Sequence, residues 1–446
     1  MDIISKKKEI LENSKDIRSF LNSIIDEKSF VEKCAFSFDK DGAKNEGGGS
    51  PAGGATAAGG VITGYATISD YPFYAAACNL NVMKGGFTKV NVKKICDLLT
   101  LAKNKENTPF LFILNTLGVK TDEGVPVLEE IAKMLRLLSE VSDIAPVFTV
   151  INGACFGVAS LIVGLSDFTF FTPGAVLASN SPFVISAKSN KNLADKDVGG
   201  AAVHGEKTNL CKFPVSGGAE VKELIVKILK NLPDFSLEGE LEGDINAGDK
   251  SNGESSSADI INAVFDGGSA VEISSAFAKE VKTVFGRIGG IACAGLAFEN
   301  VAEGVELTNA NTMKIKEFLE LCIKFDLPLV NFVNAAGIKA SLEEERSFIM
   351  KNITDIFRAL DCIDNKISVV YKNAVGLGYM LFAAKESGYD YTLALSDAKI
   401  ALLSDKQASM LDVQTDLFDI AKQGYVDNII SGNVKQNVFS ILQMIE

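Results

Sequence analysis

The chain has 446 residues, 47% of them hydrophobic, and a formal net charge of −13. That length fits two or three domains, each large enough to bury a core without disulfides or metals. An acidic balance without long Lys/Arg runs argues against a nucleic-acid partner, and eight scattered cysteines with no Cys-x-x-Cys spacing argue against a zinc ribbon or a disulfide framework, leaving core thiols in a reducing cytoplasm.

Taken in order, the first residues, Met1-Asp2-Ile3-Ile4-Ser5-Lys6-Lys7-Lys8, lead into a charged amphipathic helix and not into an apolar signal core. Residues 44–60 form a Gly/Ala-rich run that reads as a flexible insertion. Residues 60–68 and 73–77 are β-rich, and 90–103 reads as a helix, 110–114 as a buried strand, 123–141 as a helix and 146–151 as the next strand. The uncharged stretch 146–165 is about long enough to cross a bilayer. It contains Asn152 and three glycines, so a buried strand, a glycine turn and a buried helix describe it better. Residues 236–258 are acidic, rich in Gly and Ser and without apolar period, which marks a linker between domains 1–235 and 259–446. Beyond it the same order returns: β-rich 283–292, helix 312–325, strand 329–333, helix 342–360 and strand 367–371. Repeated strands and helices with short connections predict an α/β fold with right-handed crossovers.

The chain also repeats its motifs. Asp26-Glu27-Lys28-Ser29-Phe30-Val31-Glu32 is answered by Asp266-Gly267-Gly268-Ser269-Ala270-Val271-Glu272, and Asn115-Thr116-Leu117-Gly118-Val119-Lys120 by Asn334-Ala335-Ala336-Gly337-Ile338-Lys339. A third echo pairs Asn152-Gly153-Ala154-Cys155-Phe156-Gly157-Val158 with Asn373-Ala374-Val375-Gly376-Leu377-Gly378. The first two echoes lie farther apart in the front half, which alone carries the 44–60 run. So long a period means two copies of one domain and not a solenoid.

Each copy sets a glycine-bearing turn after an apolar strand and before a helix, an arrangement that leaves backbone N–H groups free to meet negative charge. Gly157-Val158 and Leu377-Gly378 hold this place, as do Gly118 and Gly337 one strand earlier. A single such glycine more often serves close packing; recurrence in both copies favours function. His204 is the only histidine, in a glycine-rich loop, which argues against a histidine triad or a multi-histidine metal site and makes it a structural group. No Walker loop and no His-Glu-x-x-His helix is present, and no metal is expected.

At these turns the chain resembles the carboxyltransferase subunits of the biotin-dependent acyl-CoA carboxylase and decarboxylase family, built from two tandem crotonase-like (ClpP/crotonase) α/β domains related by duplication. The resemblance runs from Asp26–Glu32 through Gly60-Val61-Ile62-Thr63-Gly64-Tyr65 and Val198-Gly199-Gly200-Ala201 with its following His204. It continues in Gly286-Arg287-Ile288-Gly289-Gly290, Asp326-Leu327-Pro328-Leu329-Val330 and Ala398-Lys399-Ile400-Ala401. It implies that 1–235 binds an acyl-CoA thioester and 259–446 binds biotin, with the active site between the front copy of one subunit and the back copy of another. Gly157-Val158 would stabilise an oxyanion and Leu377-Gly378 would hold the biotin ureido carbonyl. Gly85, Gly86, Gly118 and Gly337 would bind substrate. Implied partners are a biotin carboxyl carrier protein, since no Ala-Met-Lys-Met segment is present, with biotin carboxylase or membrane decarboxylase subunits, in a cytoplasmic homo-oligomer, dimer or hexamer. Where the family has Gly-Gly-Ala-Arg this chain has Leu117-Gly118-Val119-Lys120, and Asp-x-Pro-Gly-Phe becomes Asn334-Ala335-Ala336-Gly337-Ile338. Gly-Gly becomes Gly157-Val158, Gly-Ala becomes Leu377-Gly378, and a Gly-Pro pair is lost at Leu403-Ser404-Asp405-Lys406. These changes leave open a catalytically degenerate subunit acting as scaffold or acyl-CoA-binding partner. A crotonase-type hydratase using Asp122 and Glu123 is a third reading.

Overall fold

A computed structural model describes residues 3–37, 59–105, 107–235, 254–403 and 416–445. The expected insertion at 44–60, apart from its last two residues, lies outside them, as do 236–253 of the expected linker and Ser404-Asp405-Lys406 of the altered Gly-Pro site. The chain divides into two compact units, Met1–Val226 and Lys227–Glu446, each built on one mixed sheet.

In the front unit the strands are β1 (Val31–Lys33), β2 (Val61–Ile68), β3 (Tyr71–Cys78), β4 (Phe110–Thr116), β5 (Val147–Phe156), β6 (Phe168–Phe171), β7 (Val176–Ala178) and β8 (Phe213–Pro214), paired in the order β1-β2-β3-β4-β5-β6-β8 with β7 also on β5. β1, β2 and β3 pair antiparallel, while β3 to β6 run parallel. The central strand β4 opens with a continuous apolar run because both its faces are covered: Phe110, Leu111, Phe112 and Ile113 are all fully buried. The helix Lys89–Lys103 connects β3 to β4, and the helix Val125–Ser142 connects β4 to β5.

The back unit repeats the plan. Its strands are β9 (Val271–Ile273), β10 (Val281–Ile288), β11 (Ile291–Phe298), β12 (Val305–Leu307), β13 (Leu329–Ile338), β14 (Lys366–Val375), β15 (Tyr391–Leu395), β16 (Lys399–Ala401) and β17 (Asn428–Ile430). They run β17-β15-β14-β13-β11-β10-β9, with β12 on β13 and β16 on β14. The helix Ser257–Val264 precedes β9, opening inside the expected linker with Ser256 and Asp259 forming a capping box.

The first echo is a hairpin anchor. Two-residue loops with positive φ, Ser69-Asp70 in front and Gly289-Gly290 behind, close β2–β3 and β10–β11. The Asp26 carboxylate accepts the N–H groups of Ser69 and Asp70 at 2.9 and 3.0 Å, and Asp266 accepts those of Gly289 and Gly290 at 3.0 and 2.8 Å. Lys222 pairs with Asp26 at 2.6 Å and Lys435 with Asp266 at 2.8 Å.

Two expectations are corrected. The helix expected over 342–360 is two helices, Leu342–Glu345 and Ile349–Asp361. Ser347 breaks it: its hydroxyl donates to the Glu344 carbonyl at 2.7 Å and accepts the Ile349 N–H at 3.1 Å, competing with helical bonds. The third echo is out of register, by two residues at Asn152, which corresponds to Tyr371, and by one at the donor pair. Ala154 pairs with Val176 of β7 as Asn373 pairs with Lys399 of β16, so the partner of Gly157 is Gly376 and that of Val158 is Leu377. Residues 146–165 form strand, turn and short helix as expected, and among the described residues no helix is long and apolar enough to cross a membrane.

Burial alone would raise the Asp26 carboxyl, but Lys222, the Asp70 N–H, the Thr67 hydroxyl and the Ser69 N–H outweigh it and hold the group well below the usual carboxylate range. A depressed carboxyl stabilises the fold fully above its unfolded value of about 4 and loses that contribution as pH falls below it. Asp26→Asn is therefore expected to lower unfolding free energy at neutral pH by about 1–3 kcal/mol, with the gap from the parent narrowing below pH ~4 in urea titrations. A gap that stays constant over that range contradicts the anchor.

Candidate active site

In the front unit β5 ends at Phe156, Gly157 takes φ +65°, and a single turn Gly157–Ala159 leads into the helix Ser160–Gly164. The Ser160 N–H and hydroxyl both return to the Gly157 carbonyl, the hydroxyl at 2.7 Å. The helix start offers the N–H groups of Gly157 and Val158 no acceptor of its own. A Cβ on Gly157 would meet nothing within 4 Å, so the turn faces open space. The Val158 side chain packs against the hydrophobic core, so its bulk turns inward.

Gly118 lies against this turn. At φ +98°, a Cβ there would sit 2.9 Å from the Phe156 carbonyl oxygen. The Gly118 N–H is taken by the Thr116 hydroxyl at 3.0 Å, and its carbonyl accepts the Phe87 N–H at 2.9 Å. Lys120 N–H donates to the Phe87 carbonyl at 3.1 Å, which turns the intervening Val119 N–H away from Phe87. Gly85 and Gly86 complete a turn in which Met83, Lys84 and Gly85 all have positive φ. A Cβ on Gly85 would come within 2.2 Å of the Asn115 carbonyl, so only glycine lets this turn back onto β4. The N–H groups of Gly85 and Gly86 are spent inside the turn, on the Val82 and Met83 carbonyls at 3.0 and 2.9 Å.

In the back unit Gly376, at φ +54°, follows β14 and caps the helix Leu377–Phe382. Its N–H donates to the Ala401 carbonyl at 2.9 Å, and Met380 N–H makes the first helical bond to the Gly376 carbonyl at 3.1 Å. The helix therefore gives the N–H groups of Leu377 and Gly378 no acceptor. Gly378 also has a packing duty: a Cβ would lie 2.6 and 2.7 Å from the carbonyl oxygens of Ala335 and Ala336. Gly337, at the end of β13, has ordinary φ and open space around it.

The structure thus brings Gly118 to Gly157 and Gly85 to the end of β4, and sets Gly378 on β13. Residues not singled out from sequence as site groups are Gly376, which holds the left-handed position, and Val119, whose N–H is turned away from Phe87. The recurrence of glycine after both strands was the signal for Gly376. His204 opens the helical turn His204–Thr208 and rests against β7: its Nε2 faces the Leu177 carbonyl at 2.8 Å, an acceptor only, and its Nδ1 faces the Thr208 hydroxyl at 2.8 Å. Both ring nitrogens are occupied by structure. Glu123 accepts the Lys89 N–H at 2.7 Å at a helix start, and Asp122 pairs with Lys120 at 3.3 Å on the surface. Neither is poised as a hydratase acid or base. Six of the eight cysteines are buried, and burial pushes the Cys78 thiol up to about 12. Among the described residues no cluster of three His, Cys, Asp or Glu could hold a metal ion.

The profile of the carboxyl transferase domain matches residues 11–436, and the chain belongs to that family. It is 28% identical over 415 residues to the methylmalonyl-CoA carboxyltransferase 12S subunit of Propionibacterium freudenreichii subsp. shermanii, covering 88% of this chain and 76% of the relative. To the methylmalonyl-CoA decarboxylase subunit alpha of Veillonella parvula it is 25% identical over 371 residues, covering 80% and 72%. The crystal structure of transcarboxylase 12S, described as a hexamer assembly with hydrolysed methylmalonyl-coenzyme A bound, superposes with a TM-score of 0.89 at 23% identity over 99% of this chain and 94% of that one. The expected α/β fold of two tandem crotonase-like domains is the fold observed.

The glycines differ in what replacing them does. Gly378→Ala is expected to destabilise the back unit by about 1–3 kcal/mol through overpacking on β13, whereas Gly337→Ala, in open space, stays within about 0.5 kcal/mol of the parent. Thermal and urea melts of the two variants check this, and equal effects would contradict the close approach at Gly378.

Proposed function

We propose that this chain is the carboxyltransferase subunit of a biotin-dependent enzyme, moving a carboxyl group between biotin on a separate carrier protein and an acyl-CoA thioester, as carboxylase or decarboxylase. The observation that carries the reading is the same donor turn at the end of the same strand in both units of a chain that one carboxyl transferase profile spans. The front unit takes the acyl-CoA and the back unit takes biotin. Gly157 and Val158, with Val119 next to Gly118, donate N–H groups to the oxygen on which enolate or carboxyl charge develops. Donors fixed before the reaction stabilise such charge by roughly 3 kcal/mol each, because they need no reorganisation.

The back turn suits a ureido carbonyl. Leu377 and Gly378 offer two adjacent N–H groups, while the Gly376 N–H is already committed to Ala401. Biotin, when bound, supplies the nitrogen that carries and releases the carboxyl group. The chain's residues orient the two reactants and hold the developing negative charge; none of the described side chains at the front turn is a general base. Gly85, Gly86, Gly118 and Gly337 shape the approach of substrate. Names of the relatives favour methylmalonyl- or propionyl-type CoA esters. The chain works as a cytoplasmic homo-oligomer, dimer or hexamer, with a biotin carboxyl carrier protein and with biotin carboxylase or membrane decarboxylase subunits.

Supplied with free biotin and methylmalonyl-CoA, the protein is expected to release CO2 slowly and only when biotin is present. Gly157→Val, which puts a branched side chain at the open turn, should abolish this while leaving the oligomer intact by light scattering. His204→Ala should keep most of it; a loss of about a hundredfold, the scale of removing an acid/base group, would assign His204 a chemical role. No acyl-CoA binding by calorimetry and no biotin-dependent turnover would overturn the proposed function.

A further inference from the structure

We infer that Asn115 and Asn334 are the positioning residues of the two donor turns, each replacing with its side-chain amide a hydrogen bond that the sheet loses just before the turn. The ladder between β4 and β5 runs in register from Phe110 opposite Val147 to Leu114 opposite Ile151, then resumes at Thr116 opposite Cys155. Asn115 alone therefore faces Asn152, Gly153 and Ala154. In the back unit the ladder runs from Leu329 opposite Lys366 to Val333 opposite Val370 and resumes at Ala335 opposite Ala374, so Asn334 alone faces Tyr371, Lys372 and Asn373. A bulge of this kind bends the longer strand and strips its extra residues of ladder partners on the side of β4 or β13, while Ala154 and Asn373 keep their pairing to β7 and β16 on the other.

The asparagine amide fills the gap in both places. Asn115 Oδ1 accepts the Ala154 N–H at 3.2 Å, and Asn334 Oδ1 accepts the Asn373 N–H at 3.2 Å. A backbone N–H can only donate, so the amide oxygen is identified and its orientation settled. Gly157 and Gly376 lie three residues beyond these two anchored N–H groups. The surroundings are fitted to the amide. Gly153 has φ +125°, and a Cβ there would sit 2.6 Å from Asn115 Oδ1 and 2.9 Å from its Nδ2.

The two asparagines differ in their other half. Asn334 is fully buried and gives Nδ2 to the carbonyls of Glu299 and Val301 at 2.9 and 2.8 Å. Asn115 is partly exposed, and among the described residues its Nδ2 meets no acceptor. Aspartate at 115 keeps the one acceptor the bulge needs. Aspartate at 334 keeps it too, but turns a carboxylate oxygen onto two carbonyls.

The inference rests on the carboxyltransferase reading only in its kinetic arm. Hydrogen–deuterium exchange of the full chain is expected to show residues 154–159 exchanging about tenfold faster or more in Asn115→Ala, with the β2–β3 hairpin unchanged and Asn115→Asp close to the parent. In methylmalonyl-CoA decarboxylation, Asn115→Ala should lower kcat about a hundredfold, on the scale of losing one oriented donor, with KM changed less than about threefold; Asn115→Asp should recover most of kcat. Asn334→Asp, unlike Asn115→Asp, should melt well below the parent. Unchanged exchange at 154–159 in Asn115→Ala, a KM effect larger than the kcat effect, or Asn115→Asp as impaired as Asn115→Ala overturns the inference. If the parent itself turns nothing over, the proposed function falls and the exchange arm still decides the positioning role.

Discussion

A parallel strand held on both sides by ladder hydrogen bonds cannot release into a turn unless the ladder is broken first. In both units the break falls one residue before the end of the pairing, at Asn115 and at Asn334, and a side-chain amide takes up the backbone group set free. Everything with chemical potential follows within a few residues: the left-handed glycines Gly157 and Gly376, and the N–H groups that begin the next helix without an acceptor. The apolar core supplies the platform. The polar exception at its edge sets where the donors point.

The same polar exceptions recur in matched positions, which is how the duplication shows itself at low similarity between the halves. Lys94 reaches from a front helix to the Val61 carbonyl, and burial, outweighing Glu32 and Cys34, pushes its ammonium down to about 8. Lys314 reaches the carbonyls of Phe277 and Val281 at 2.7 and 2.6 Å. Thr88 and Thr308 cap equivalent helices by accepting the N–H of Asn91 and Asn311, and Glu123 and Glu344 accept the N–H at each helix start. Buried groups of this kind are costly if left unpaired, so each constrains its partner, and drift in the apolar residues leaves the polar pairs in place.

Much of this was legible in the sequence. The strand at 110–114 was a continuous apolar run and that at 329–333 an apolar run broken only by the buried Asn331, and both were found where expected because a strand covered on both faces needs no alternation. The second echo, Asn115 to Lys120 against Asn334 to Lys339, was in true register, since each contains one asparagine and one glycine at fixed spacing. The third was not. Gly376 and Gly378 both offer a match for Gly157, and the choice between them depends on β14 pairing with β16, a contact between distant segments. Nor could sequence show that Val158 turns its side chain into the core, which depends on the direction of the turn. The break at Ser347 had a local signal, a hydroxyl before a new apolar period, that apolar spacing alone overrides.

The altered motifs look less damaging in three dimensions than as letters. A backbone donor tolerates a side chain that points elsewhere, and Val158 does so, while Gly157 keeps the position whose φ of +65° L side chains rarely adopt. Valine at 158 therefore leaves the proposed donor turn in place. The most direct measurement is a crystal structure of the protein soaked with propionyl-CoA. The account predicts the thioester oxygen within about 3 Å of the Gly157 or Val158 N–H of the front unit. A thioester bound at the Leu377 turn of the back unit, or nowhere near either turn, would contradict it.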